Sequence, residues 1–354
     1  MVASTSRGRG EPFLRLLPFA VMSVVAALEL IEGTGTGYLP LLSLGPAFAS
    51  LTGGMPRAAA VGALALLMCA TLAAHHDIIG TRANNLTLVS ITGVTAAGML
   101  ASAIRMRNER ELADIRTVAE AAQRVLLRPV PRRVGPVHAA VRYISAAARA
   151  RIGGDLYEVV TTPKGVRVIV GDVQGKGLGA VETAAVVLGA FREAAYDEED
   201  LHGVTARLEK ALTRHLTSEQ FVTAVLAELG SDDRVQLVNC GHPPPLLIRP
   251  DGRIDAAEPP DVAPPLGMTA LAGGRPPLYE VPFTAHDQLL LYTDGVIEAR
   301  NGRGEFYPLA ERLDALRATD PERALDDLHA DLLRHVGAPI TDDAALLLLR
   351  RRRH

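Results

Sequence analysis

Four apolar stretches crowd the first 104 residues, and no other feature restricts the fold of this chain as strongly. They run from Leu14 to Ile31, Gly37 to Met55, Ala58 to Ala74 and Asn85 to Ile104, each 17 to 20 residues long. The last three carry no charged side chain, and the first holds only Arg15 and Glu29 near its ends. A helix needs about 20 apolar residues to cross a hydrocarbon core of ~30 Å. Buried helices of a soluble core are the alternative, but four such runs split by short polar breaks favour a membrane. A cleaved signal peptide would account for the first run alone. The expectation is four transmembrane helices at 14–31, 37–55, 58–74 and 85–104, together forming a domain over residues 1–104. Pro40, Pro46 and several glycines make the second the least regular.

Charge sets the expected topology. Arg7, Arg9 and Arg15 open span one, Arg57 separates spans two and three, and Arg105, Arg107 and Arg110 follow span four. The opposite loops carry Glu29 and Glu32, then His75, His76, Asp77 and Arg82. The positive-inside rule places the N-terminus and everything after span four in the cytoplasm. The protein is therefore expected in the inner (cytoplasmic) membrane, multi-pass, with the lipid bilayer as a partner. The outer loops are too short for an extracellular sensor domain.

From Arg105 the pattern becomes that of a charged helix. Leu112, Ile115, Ala119, Ala122 and Leu126 alternate at spacings of three and four, an a/d seam over about two heptads. Pro129 and Pro131 end it. Residues 105–129 read as a linker helix, either a parallel coiled coil joining two copies or an amphipathic helix packed on its own domain. Both readings stay open at this point.

Residues 130–350 read as a compact cytoplasmic domain, followed by a basic tail at 351–354. Strand-like runs fall at Val166–Val170, Val222–Leu229, Val235–Val238, Leu246–Arg249, Gln288–Thr293 and Ala345–Leu349. Helix-like runs fall near 178–195, 201–217 and 321–336. The Pro- and Gly-rich stretch 250–287 reads as a surface excursion. Hairpin-length turns such as Ser231-Asp232-Asp233 disfavour a simple alternating parallel sheet. The run Arg350–Arg353 could touch anionic lipid, though a solvated tail is the simpler reading. With 37 basic against 40 acidic residues, nucleic acid is not expected as a partner. Cys69 and Cys240 are too few and too far apart for a disulfide framework or a zinc cluster.

Acidic residues recur in turns beside the strands. Asp155 lies in Gly153-Gly154-Asp155-Leu156-Tyr157, Asp172 in Gly171-Asp172-Val173-Gln174-Gly175-Lys176-Gly177, and Asp294 in Tyr292-Thr293-Asp294-Gly295. Asp342 and Asp343 precede the last strand. Strands ending in carboxylates can gather several of them at one sheet edge, where they repel unless a cation neutralises them. All-oxygen ligands favour Mg²⁺ or Mn²⁺. Two such ions about 3.5–4 Å apart could activate a water and neutralise a phosphoryl oxygen. An isolated Asp-Gly pair is ordinarily just a turn.

Taken in order, these segments resemble a family. From Val125 to Arg350 the chain is similar to the PPM (protein phosphatase 2C-like) metal-dependent serine/threonine phosphatases, in their bacterial SpoIIE-like branch. The resemblance is carried by Arg151–Tyr157, Val170–Gly177, Phe221–Leu229, Asn239-Cys240-Gly241-His242-Pro243-Pro244-Pro245-Leu246, Pro265-Leu266-Gly267, Leu289–Asn301 and Asp342–Arg350. It implies an α+β fold, an α-β-β-α sandwich with metals at one edge of the paired sheets. It implies Mn²⁺ or Mg²⁺ (two ions) held by Asp155, Asp172, the Val173 carbonyl, Asp294 and Asp342, with Asp343 orienting ligands or water from behind. Asp155, Asp172, Asp294 and Asp342 would then be the catalytic set, with water attacking phosphorus in line and no covalent phosphoenzyme. It also implies a phosphorylated protein substrate, since similar bacterial enzymes act on STAS-type anti-sigma factor antagonists.

Two departures stand out, and one matching residue has an open role. Glu158 occupies a position where the family usually has Asp, outside the metal set. Cys240 replaces an Ala and is small enough to be tolerated. His242 is a candidate general acid, but a structural histidine in a Pro-rich turn is the favoured reading. Gly153-Gly154-Asp155 lacks the Glu-Phe of a diguanylate cyclase. Gly175-Lys176-Gly177 lacks the spacing and the Ser/Thr of a phosphate loop, and its glycines misfit a dinucleotide fingerprint. The reading is a membrane-anchored serine/threonine phosphatase. A catalytically degenerate scaffold that binds phosphoproteins is the alternative. A transporter is disfavoured because the spans hold no charge cluster.

Overall fold

The computed structural model describes residues 11–32, 37–145, 153–215, 220–268, 274–312, 316, 320–340 and 342–352. The chain divides into two units, Met1–Asp114 and Ile115–His354.

In the first unit, α1 spans Glu11–Glu32, α2 Leu44–Thr52 and α3 Met55–His75, and α4 begins at Arg82. Three of these helices, α1, α3 and α4, are long and apolar enough to cross a membrane. The second expected span differs. Residues Leu39–Ser43 form a 3-10 turn and α2 adds only nine residues. Together they rise roughly 23 Å at 1.5 and 2.0 Å per residue, short of a full bilayer core. Proline accounts for the break, because Pro40 opens the 3-10 turn, Pro46 lies in the first turn of α2, and neither donates a backbone hydrogen bond.

The segments of this unit still alternate in direction. At one end the Arg57 guanidinium donates to the Arg15 carbonyl at 2.6 Å, and Arg105 donates to the carbonyls of Leu51 and Gly53 at 3.0 and 2.8 Å. At the other end the Tyr38 amide donates to Glu29, a carboxylate only 1% exposed. Between them Met22, Leu42, Val61, Ala65 and Ile91 form a core.

Helix α4 spans Arg82–Leu126, 45 residues, so the fourth apolar stretch and the charged segment fall in one helix. Its last turns belong to the second unit. There Ala119 is buried against Val181, with Ala122 and Leu126 beside it. Three of the five seam residues thus pack on their own domain. The Ile115 side chain lies outside the described residues.

The second unit holds two antiparallel sheets. The first has the order β1 (Arg133–Val134), β2 (Val137–Ile144), β11 (Ala344–Arg351), β10 (Gln288–Tyr292), β7 (Leu246–Ile248), β8 (Ile254–Ala256). The second has the order β3 (Leu156–Thr162), β4 (Gly165–Val173), β5 (Val222–Leu229), β6 (Arg234–Cys240), β9 (Leu278–Pro282). Their facing sides share one core, in which Val168, Val170, Val225 and Leu237 meet Leu289, Leu291, Leu347 and Leu349. Helices α5 (Leu178–Asp197) and α6 (Leu201–His215) cover the outer side of the second sheet through Phe191 and Leu208. Helix α8 (Pro321–Val336) covers the first through Leu325, Leu328 and Leu332. The result is an α-β-β-α sandwich. Strands buried on both faces read as continuous apolar runs, and β10 and β11 do.

The expected helices appear within two residues at each end. Five of the expected strands extend or shorten by up to three residues, and Val222–Leu229 is unchanged. The surface excursion at 250–287 contains β8 and β9, with 269–273 outside the described residues. Strands β2 and β3 answer to no apolar run in the sequence reading.

Candidate metal centre

Strand pairing assembles the site. Leu156 opposes Gly171 in the β3–β4 ladder, so Asp155, just before β3, lies beside Asp172 near the end of β4. On the other sheet Tyr292 opposes Leu346, so Asp294, at the start of the short helix α7 (Asp294–Ile297), emerges beside the residues that lead into β11. One carboxylate oxygen each from Asp155, Asp172 and Asp294 falls within a set whose members are all within 4.8 Å of one another.

Thr293 fastens this junction between the sheets. Its amide donates to the Ala345 carbonyl at 3.1 Å, its hydroxyl oxygen accepts from the Ala345 amide at 2.8 Å, and its hydroxyl donates to Asp155 at 2.8 Å. It is wholly buried. Two glycines permit the approach of backbone to backbone. A Cβ on Gly295 would lie 1.9 Å from the Asp343 carbonyl oxygen, and one on Gly154 would lie 2.5 Å from that of Val173.

Electrostatics tests whether the residues suit a cation. Burial, then the Asp172 charge, raises the Asp155 carboxyl well above the usual range, opposed by the Thr293 hydroxyl. Burial and the charges of Asp294 and Asp342 push Asp172 up to about 7. Burial, Glu298 and Asp342 raise Asp294. Three carboxylates that resist ionising together are stabilised by a shared cation, and hard oxygen donors match Mn²⁺ or Mg²⁺. The residues fit the group. Asp155, Asp172 and Asp294 would hold it, with the carbonyl of Val173 close by.

The remaining candidates stand apart from that trio. Asp342 is half-exposed and ion-paired with Lys176 at 2.6 Å, while its charge still reaches Asp172 and Asp294. Asp343 is buried behind the site, and its Oδ2 accepts from the Tyr143 hydroxyl at 2.6 Å and the Gly153 amide at 2.9 Å. Gln123 of α4 donates to the same Tyr143 oxygen at 2.7 Å and to the Gly153 carbonyl at 3.3 Å. Thr293, Tyr143, Gln123, Lys176 and Glu298 escaped the sequence reading of the site. Thr293 directly precedes Asp294 and Lys176 follows Asp172 by four residues, so position near an Asp is a usable signal. Tyr143 and Gln123 gave none.

His242 is fully enclosed. Its Nε2 lies 3.0 Å from the Tyr292 carbonyl, which fixes a proton there, and its Nδ1 lies 3.0 Å from the Thr223 hydroxyl. Asn239 grips its backbone at both the amide and the carbonyl. Both ring nitrogens are spent on tying β5 to β10, the neighbours of Asp172 and Asp294, which is a structural role. Burial pushes the Cys240 thiol up to about 12, so it is no nucleophile. Glu158 pairs with Arg192, which also donates to the Leu126 carbonyl at the end of α4.

Paired sheets with outer helices, and a carboxylate cluster at one edge, are the arrangement of the PP2C-type fold. The chain belongs to the SpoIIE family, whose model, described as stage II sporulation protein E, matches residues 162–352. Among solved structures it is similar to the RsbU and RsbW domains of Rv1364c from Mycobacterium tuberculosis, at 27% identity and TM-score 0.53 over 62% of this chain and 61% of that one. It is also similar to the SiaA-PP2C domain of Pseudomonas aeruginosa, at 20% identity and TM-score 0.57 over 69% and 98%. The PP2C phosphatase domain and regulatory-domain fragment of SpoIIE from Bacillus subtilis aligns at 16% identity and TM-score 0.53 over 62% and 65%. The chain therefore spans under two thirds of the first and third of these proteins, and the likeness to the second and third is one of fold.

Proposed function

We propose that the chain is a membrane-anchored, metal-dependent phosphatase that removes phosphate from phosphoserine or phosphothreonine in a protein, an anti-sigma factor antagonist of the STAS type. The observation that carries this reading is the cluster of Asp155, Asp172 and Asp294 at the junction of the two sheets. Two bound ions would polarise a water and neutralise phosphoryl oxygens. The chain's part is to hold and orient: Asp155, Asp172, Asp294 and Asp342 supply carboxylates, Val173 a carbonyl, and Asp343 braces the Gly153 turn from behind. Cys240 is buried and both ring nitrogens of His242 are engaged, which fits in-line attack by water, as the family resemblance implies, rather than a covalent phosphoenzyme.

Residues 1–104 would form the membrane domain, 105–129 the linker helix and 130–350 the catalytic domain. Arg15, Arg57 and Arg105 share one end of the helical unit, which the positive-inside rule assigns to the cytoplasm. That choice places the N-terminus and the catalytic domain inside the cell at the cytoplasmic membrane. Leu112, Val118 and Val125 of α4 are exposed, and the last two are one heptad apart, so a second copy can pair along this side of the helix. A change in the membrane domain that rotates or orders α4 would then act on the metal site.

The test is phosphate release from a phosphorylated protein by the full chain in lipid nanodiscs with Mn²⁺. Turnover that needs metal and is lost in Asp172→Ala supports the proposal. No turnover with metal leaves a phosphoprotein-binding scaffold, and turnover unchanged in Asp172→Ala overturns the assignment of catalysis to this cluster. A domain from Val130 onward as active as the full chain under all conditions would remove the regulatory part.

A further inference from the structure

Lys176 sits where the carboxylate cluster opens to solvent. Its ammonium group contacts Asp342 at 2.6 Å, and the two side chains are 39% and 44% exposed. Among the described residues it is the cation whose charge lowers the proton affinity of both Asp172 and Asp294. It stands between Gly175 and Gly177, with φ of +107° and +88°, and nothing would touch a Cβ at either position. A lysine held between two glycines in open space can be redirected by backbone torsions that other residues disfavour. Its partner is weakly held, because an exposed ion pair contributes little and is readily exchanged.

The same carboxylate has two claimants. Asp342 adds its charge to Asp172 and Asp294, so a divalent cation in the cluster attracts it. Its Oδ2 cannot serve an ammonium group and a metal ion equally well at once. A lysine released there remains next to the carboxylates, half-exposed to solvent, and an ammonium group is a strong phosphate ligand.

We propose that Lys176 binds the phosphoryl oxygens of the substrate and gives up its ion pair with Asp342 to do so. The phosphate half of this assignment rests on the phosphatase reading. The competition between Lys176 and metal for Asp342 rests on the cluster alone.

Calorimetry on the full chain in nanodiscs separates the two halves. Mn²⁺ alone is titrated into wild type, Lys176→Ala and Lys176→Arg, and inorganic phosphate is then titrated into each Mn²⁺-loaded protein. Lys176→Ala should bind its weaker Mn²⁺ about two- to fivefold more tightly, since a competing exposed ion pair is gone. It should bind phosphate about tenfold more weakly, the loss of one charged hydrogen bond. Lys176→Arg should return both values toward wild type. Unchanged or weaker Mn²⁺ binding in Lys176→Ala overturns the proposal, as does equal phosphate binding in the two proteins or a wild type that binds no Mn²⁺. If both shifts occur but wild type releases no phosphate from phosphoproteins, Lys176 is an anion-binding residue and the phosphatase reading alone fails.

Discussion

Tyr143 donates its hydroxyl to Asp343 at 2.6 Å, and the same oxygen accepts a hydrogen bond from Gln123 of α4. The last turns of α4 therefore touch the residue next to Asp342 through one intervening side chain. Tyr143→Phe keeps the ring and removes the link, leaving Gln123 and Asp343 each short of a buried partner. The expected cost is about 1–3 kcal/mol of stability. Mn²⁺ affinity should fall on the order of tenfold, as for the loss of a group that supports a ligand. Thermal melts and calorimetric Mn²⁺ titrations check both, and Gln123→Leu should move metal affinity in the same direction by less.

Gly295 tests how tightly the two sheets close at the site. With a Cβ only 1.9 Å from the Asp343 carbonyl oxygen, Gly295→Ala must push α7 and the entry to β11 apart. Overpacking of this kind costs about 1–3 kcal/mol. Because Asp294 moves with it, metal binding should weaken more than stability. Gly302→Ala is the control, since nothing would lie within 4 Å of its new Cβ, and its melting temperature and Mn²⁺ affinity should match wild type.

The parts of this fold that the sequence displayed are those whose signal is local. Strand β10 is buried along its whole length and β11 almost so, and each shows as an unbroken apolar run. Strands β2 and β3 carry Arg142, Tyr143 and Glu158, whose partners Asp326, Asp343 and Arg192 lie far along the chain. Without those partners the segments look too polar for buried strands. The site divides in the same way. Each candidate metal-binding Asp is marked by its own turn, whereas Thr293 acquires its role only by meeting Asp155, 138 residues away. The second apolar stretch carries a break that composition hides, because apolar content does not register a proline-interrupted helix.

The carboxylate cluster makes stability depend on pH in a direction opposite to ordinary acid denaturation. Asp172 is raised from 3.8 to about 7 in the folded protein. Between those values the native state holds a proton that the unfolded chain has lost. That contribution is complete below about pH 4 and disappears as pH rises through 7. With metal chelated, the melting temperature of the catalytic unit should fall by on the order of 5 °C between pH 5 and 8. Saturating Mn²⁺ should abolish the fall, and its binding at pH 6 should release protons. Asp172→Asn should flatten the chelated profile, and a profile already flat in wild type would contradict the shared burial of these carboxylates.

His242 should contribute a slope of the other sign. Burial lowers it from 6.5 to about 4, so the unfolded chain binds a proton in this window and the native protein does not. Its stabilising hydrogen bonds to Tyr292 and Thr223 are intact above pH 6.5, and their net benefit is lost as pH falls toward 4. The full effect is about 3 kcal/mol. The difference in melting temperature between wild type and His242→Gln isolates it from the carboxylates, and should shrink steadily from pH 6.5 to 4.5. A structural histidine with both ring nitrogens engaged also makes a kinetic prediction. His242→Gln should lower phosphate release by loosening the β5–β10 junction while leaving the shape of the pH–rate profile unchanged. If the variant instead loses one limb of that profile, the imidazole is donating its proton to the leaving group and is not a strut between the sheets.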